Sequence, residues 1–170
     1  MFVDMKRQRG FTLIELMVVL GIVAILAAIV APRWELYRSR MVVGEATNTV
    51  CSAFRDARSE SLLEQCEMSF NVDNTNKKIE IMRRSNGSDA QWYKTYHFSP
   101  EVFVGGTADI SLVIGRGGSV ASATGVTSST SSVGKVSVKV YDISVTSLAT
   151  QAVDHVFITA DGRASIGASL

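Results

Sequence analysis

The sequence predicts an α+β protein: a long, kinked N-terminal helix, half membrane-spanning and half amphipathic, packed on an antiparallel β head. Three observations predict it. Leu16 to Ala31 is sixteen residues without a charge. Beyond Pro32, apolar residues recur at Val43, Ala46, Val50, Ala53, Phe54 and Ala57, the three- and four-residue steps of one helix face. From Cys66 onward apolar and polar residues alternate, which is the period-two pattern of strands.

The 170 residues amount to one domain beyond the apolar span, enough to bury a modest core. The net charge of +1 is unevenly placed. Lys6, Arg7 and Arg9 make residues 1–10 basic and leave a near-neutral body, which gives no general electrostatic case for nucleic acid.

Taken in order, residues 1–10 are a short basic leader and residues 11–32 the apolar helix. Phe11 to Ala31 is 21 residues, about 31 Å as helix and long enough to cross a bilayer. Basic residues ahead of it hold the N-terminus in the cytoplasm. A cleaved secretory signal explains the basic start, but no A-x-A site follows the apolar run and Ala31 precedes Pro32. A plain signal anchor explains length and orientation but not Glu15, a carboxylate inside the span that asks for a partner.

The string Arg9-Gly10-Phe11-Thr12-Leu13-Ile14-Glu15-Leu16 resembles the class III leader junction of type IV pilins and type II secretion pseudopilins. The resemblance includes Gly before the junction, Phe after it, Glu at the fifth mature position and Pro32 near the end of the span. It implies that a membrane aspartyl peptidase cuts between Gly10 and Phe11 and methylates the new terminus at Phe11. It also implies that Glu15 pairs with the terminal amine of a neighbouring subunit, two opposite charges neutralising each other in an apolar bundle. The implied shape is the pilin lollipop.

Residues 33–65 form the amphipathic half of the helix, with Arg38, Arg40, Glu45, Arg55, Asp56 and Glu60 mostly off the apolar stripe. Pro32 removes an internal hydrogen bond and kinks the helix; Gly21 and Gly44 weaken it locally. Residues 66–170 are the β-rich head. Strands are expected at 68–72, 78–81, 92–98, 102–104, 109–114, 135–143, 155–159 and 164–166, with a turn at Asp73–Asn76. Gly115 to Gly134 is rich in Gly, Ser and Thr and is expected to be a flexible exposed loop, disordered or partner-binding.

Cys51 and Cys66 either form a disulfide, if the head lies outside the cytoplasm, or stand as two separate buried apolar residues. No nucleophile motif, phosphate loop, cofactor site or metal cluster is legible, and the reading is non-enzymatic. His97 and His155 read as structural, and Asp154 and Asp161 near His155 make too generic a constellation for catalysis. Arg83, Arg84 and Arg163 fall on expected exposed turns and are the candidate DNA contacts, although phosphate binding needs several such groups converging.

The tail Val156–Arg163 and the stretch Ala57-Arg58-Ser59-Glu60 resemble the H-type pseudopilin and FimT/FimU-type minor pilin family, which implies a sandwich-like head of two sheets. The expectation is a structural subunit that joins or primes a type IV pilus as a minor pilin. The alternatives are an H-type pseudopilin of type II secretion and a DNA-binding competence minor pilin. The resemblance implies as partners other pilins through the N-terminal helix, the prepilin peptidase/methyltransferase, an inner-membrane assembly platform and the inner membrane itself, with DNA as a minority partner. It places the chain in a bacterial inner membrane, crossing once with the head in the periplasm, and later in a pilus or pseudopilus. A signal-anchored periplasmic domain is the fallback, and it predicts no cut at Gly10.

Overall fold

A computed structural model describes residues 11–106, 109–133, 136–150 and 152–167, and the side chains of all these except 30–32, 89–90, 129–133 and 136–141. The chain divides into two compact units, Met1–Tyr37 and Arg38–Leu170. One helix, α1 (Leu13–Leu63), runs through both.

In the first unit α1 has no sequence stripe: Leu13, Ile14, Leu16, Val18, Leu20, Ile22 and Ile25 are all exposed, as an evenly apolar segment must be when nothing packs on it. Among the described residues no single helix is long and apolar enough to cross a membrane. Leu13–Ile29 and Arg33–Leu63 pass that test only together. The kink expected at Pro32 falls on residues 30–32, whose side chains lie outside the described ones.

In the second unit ten antiparallel strands follow among the described residues: β1 (Glu67–Asp73), β2 (Lys78–Ser85), β3 (Ser88–His97), β4 (Val102–Val104), β5 (Ile110–Ile114), β6 (Val120–Thr124), β7 (Thr127–Val133), β8 (Val136–Ser147), β9 (Val153–Thr159) and β10 (Ala164–Gly167). One sheet has the order β3-β2-β1-β5-β6; the other runs β10-β9-β8-β4, with β7 also paired to β8. The α+β class holds, a long helix packed on antiparallel sheets.

The stretch 115–134 is corrected. It was expected as a loop, but it carries β6 and β7, paired to β5 and β8. Small Ser and Thr residues bury little, yet Thr and Val suit a strand, and a neighbouring strand satisfies the backbone whatever the side chains are.

The amphipathic stripe lies where its spacing puts it. Val43, Ala46, Val50, Ala53, Phe54 and Ala57 are all buried in one cluster with residues of both sheets. The three alanines let the helix approach the sheets closely, and Phe54 meets Phe70 of β1 edge to face at 5.9 Å. The sheets are tied together through the β1–β2 turn. Buried Asn74 donates to the Val104 carbonyl at 2.8 Å and accepts from the Val104 amide at 3.0 Å, while its own amide donates to Asp109 at 3.1 Å.

A second tie passes over the helix. Arg58 donates to the Asp161 carbonyl at 3.0 Å, and the Val120 amide donates to the Ala160 carbonyl at 3.0 Å. Gly162 is required there. Its φ is +82°, and a Cβ would sit 1.9 Å from the Gly118 carbonyl oxygen.

Of the two alternatives for the cysteines, the bridge is not formed: Cys51 and Cys66 are both free thiols. Helix continues from Cys51 to Leu63, about 18 Å of rise, whereas a bridge needs Cα atoms within roughly 7 Å. Cys51 is buried against the sheets, and Cys66 lies past the helix end with its thiol 3.7 Å from the Met68 sulfur.

Candidate functional site: the N-terminal junction

The residues that carry the sequence argument cluster where α1 begins. Gly10 lies outside the described residues; Phe11 is described and almost wholly exposed, at 89%. Thr12 precedes the first helical residue, and Glu15 stands in the first turn. Their side chains form a capping box. The Glu15 carboxylate accepts from the Thr12 amide and hydroxyl, both at 2.9 Å, and the Thr12 hydroxyl accepts from the Glu15 amide at 3.3 Å. The helix start would otherwise leave amides without acceptors, and these bonds satisfy two of them. A carboxylate in the first turn also suits the positive end of the helix dipole.

Thr12 is the residue the sequence reading passed over. Its signal was present: Thr-x-x-Glu directly before an apolar run is the capping-box pattern. Phe11, Ile14, Val18 and Val19 line a shallow apolar groove beside Glu15. The site therefore offers a carboxylate held in place by its own chain, with apolar surface on either side. Such a surface can accept a cation and an apolar helix together.

The candidate DNA contacts are on the head and do not converge. Arg83 lies 3.3 Å from Glu64 and 3.7 Å from Glu60. Arg84 donates to the Gly87 carbonyl across its hairpin. Arg163 sits 3.3 Å from Asp161, in the turn held by Arg58. Arg58 and Glu60 are two residues apart, close to opposite faces of a helix. Arg83 therefore belongs to one side of α1 and the Arg163 turn to the other.

Another polar cluster joins helix to sheet. Asp56 accepts from Lys94 at 2.7 Å and from the Tyr96 hydroxyl. The Lys94 bond, and then the Tyr96 bond, hold the Asp56 carboxyl below its ordinary value. The same contact raises Lys94. Further off, His155 pairs with Asp142 across β8 and β9 at 2.9 Å and stacks on Phe157. Among the described residues Asp154 accepts from the His155 amide at 3.0 Å, while the His155 ring turns to Asp142, so the sequence neighbours do not form the dyad. Among the described residues no group of three or more His, Cys, Asp or Glu could hold a metal ion.

Comparison with known proteins agrees with the junction first. The prokaryotic N-terminal methylation motif matches residues 5–31. A fimbrial protein of Pseudomonas aeruginosa is 47% identical over 64 residues, 38% of this chain and 41% of that protein. Prepilin peptidase-dependent protein D of Escherichia coli (strain K12) is 51% identical over 45 residues, 26% of this chain and 31% of that protein. The chain thus spans about two fifths or less of the length of these curated relatives. The crystal structure of the type IV minor pilin FimU of Pseudomonas aeruginosa shares the fold at a TM-score of 0.55. It is 13% identical, and the match covers 78% of this chain and 92% of that one.

Proposed function

We infer that this chain, a type IV minor pilin or pseudopilin by its N-terminal methylation motif and its fold, is a structural subunit that a prepilin peptidase processes and that then joins or primes a type IV pilus. The observation that carries this is the junction itself. The N-terminal methylation motif spans residues 5–31, and within it an exposed Phe11 stands just ahead of a helix whose only early carboxylate, Glu15, is fixed at the first turn. Cleavage at Gly10–Phe11 creates an amine on the residue just before the capping box. Glu15 of one copy then takes the amine of a neighbour while the apolar segments pack side by side, so that charge and register are satisfied together. Until assembly, residues 11–32 hold the chain in the inner membrane, with the head on the periplasmic side.

Intact-mass and N-terminal analysis of the chain made with a prepilin peptidase tests this. Loss of residues 1–10 with a methylated Phe11 is the expected product. An uncut chain in the presence of active peptidase overturns the reading and leaves a signal-anchored domain.

A further inference from the structure

The membrane segment is followed by a short stretch that neither the apolar run nor the head accounts for. Arg33, Trp34, Glu35, Leu36 and Tyr37 close the first unit. Trp34 is 66% exposed and Tyr37 59% exposed. Three residues apart, the two rings lie on one helix face, and Arg33, four before Tyr37, flanks it. Exposed aromatics on a helix ordinarily call for cover. In the second unit the helix finds its cover at once, with Ser39 and Val43 both buried.

We propose that Trp34 and Tyr37, flanked by Arg33, form an interfacial anchor that seats in the phospholipid headgroup layer on the head side of the membrane. The proposal rests on the membrane-spanning reading and adds to it the depth at which the helix sits. Three arguments favour a lipid surface over other occupants. Phe11 to Ala31 is 21 residues, about 31 Å, against a hydrocarbon core of about 30 Å. The residues just past its end therefore arrive at the headgroups. Trp and Tyr are the side chains that suit that layer, with an apolar ring toward the chains and an N–H or O–H toward water. Arg33 can lay its stem along the apolar face and bring its guanidinium to lipid phosphate. The anchor stands nineteen residues from Glu15 in sequence, about 28 Å of helix. Fixing one end thereby limits how deep the carboxylate can lie at the other.

Depth-dependent fluorescence quenching tests this on the full chain. The chain has two tryptophans. Trp92 is exposed and its indole N–H donates to Thr95 at 2.9 Å, so Trp92→Phe leaves Trp34 as the sole reporter at little structural cost. The protein is reconstituted at low density into phosphatidylethanolamine–phosphatidylglycerol vesicles carrying a spin label either near the acyl carbonyl or near the chain end. Trp34 is expected to be quenched more by the shallow label than by the deep one. A second chain, Leu20→Trp with Trp34→Phe and Trp92→Phe, is expected to show the reverse order. If Leu20→Trp reports the deep position while neither label quenches Trp34, the anchor is overturned and the membrane span stands. If neither tryptophan is quenched, the span fails and takes the anchor with it. Shielding of Trp34 that appears only when protein is crowded assigns the face to a second copy and overturns the proposal.

Discussion

Glu15 carries two jobs that a single substitution can separate. It caps the helix through Thr12, and in the proposed assembly it offers a negative charge to a neighbour. Gln keeps the first and loses the second, because a capping box accepts Gln as well as Glu. Glu15→Ala loses both. Both variants are expected to insert in the membrane, and both are expected to be missing from sheared filaments. Normal incorporation of Glu15→Gln would show that capping, not charge, is what assembly uses. Asp56 gives a pH dependence with a definite sign. Its carboxyl is held below the ordinary 3.8, so the clamp contributes stability above that value and loses it as pH falls through the lower folded value. Asp56→Asn should therefore unfold more readily than the parent in urea at neutral pH, and the gap should close below pH 3.8. Thr12 could be read from its spacing to Glu15. Asp56 could not, because its partners Lys94 and Tyr96 lie 38 and 40 residues away, and only the register of β3 brings them to the helix.

At the scale of elements, the helix stripe was the most legible feature because a 3.6-residue period is local and its apolar members are numerous. Phe54 is its largest buried member and packs on Phe70. Phe54→Ala is expected to lower unfolding free energy by about 3–5 kcal/mol, read by denaturant titration of the detergent-solubilised chain. A loss under about 1 kcal/mol would mean that the alanines around it collapse into the space. Most strands of the head followed from alternation. β6 and β7 did not, since a run such as Thr127-Ser128-Ser129-Thr130-Ser131 has no apolar alternation to reveal it. Its pairing with β8 comes from the partner strand, a long-range cause that composition hides. The unbridged cysteines follow the same logic. Sequence separation said nothing of the helix rise between them.

For the whole molecule, the division at Tyr37 and Arg38 places the entire buried core on one side. A chain beginning at Arg38 keeps every buried apolar residue of that core, from Val43 to Ile158. It is expected to be soluble without detergent and to melt within a few degrees of the detergent-solubilised full chain, as followed by circular dichroism. Aggregation of that fragment would mean that the N-terminal unit contributes to folding as well as to anchoring. The N-terminal junction and the head also differ in what identifies them. The junction matches over residues 5–31 at the level of motif, whereas the head agrees with a minor pilin at 13% identity and so by fold alone. Short motifs read by an enzyme restrict residues one by one, while a packed head restricts only volume and pattern.

The two free thiols give the head a built-in stopwatch. Cys51 is 2% exposed, and burial pushes its thiol up, against a lesser opposing influence from Arg55. Cys66 is only half-buried. A maleimide added to native protein should therefore mark Cys66 promptly and reach Cys51 only when α1 lifts from the sheets. The first adduct counts molecules, and the delay before the second, followed by mass, measures how often the head opens. Run on free subunits and again on filaments, the same delay would report how firmly assembly clamps the head shut. Equal rates at both cysteines under native conditions would mean that the helix leaves its seat far more often than so well buried a core permits.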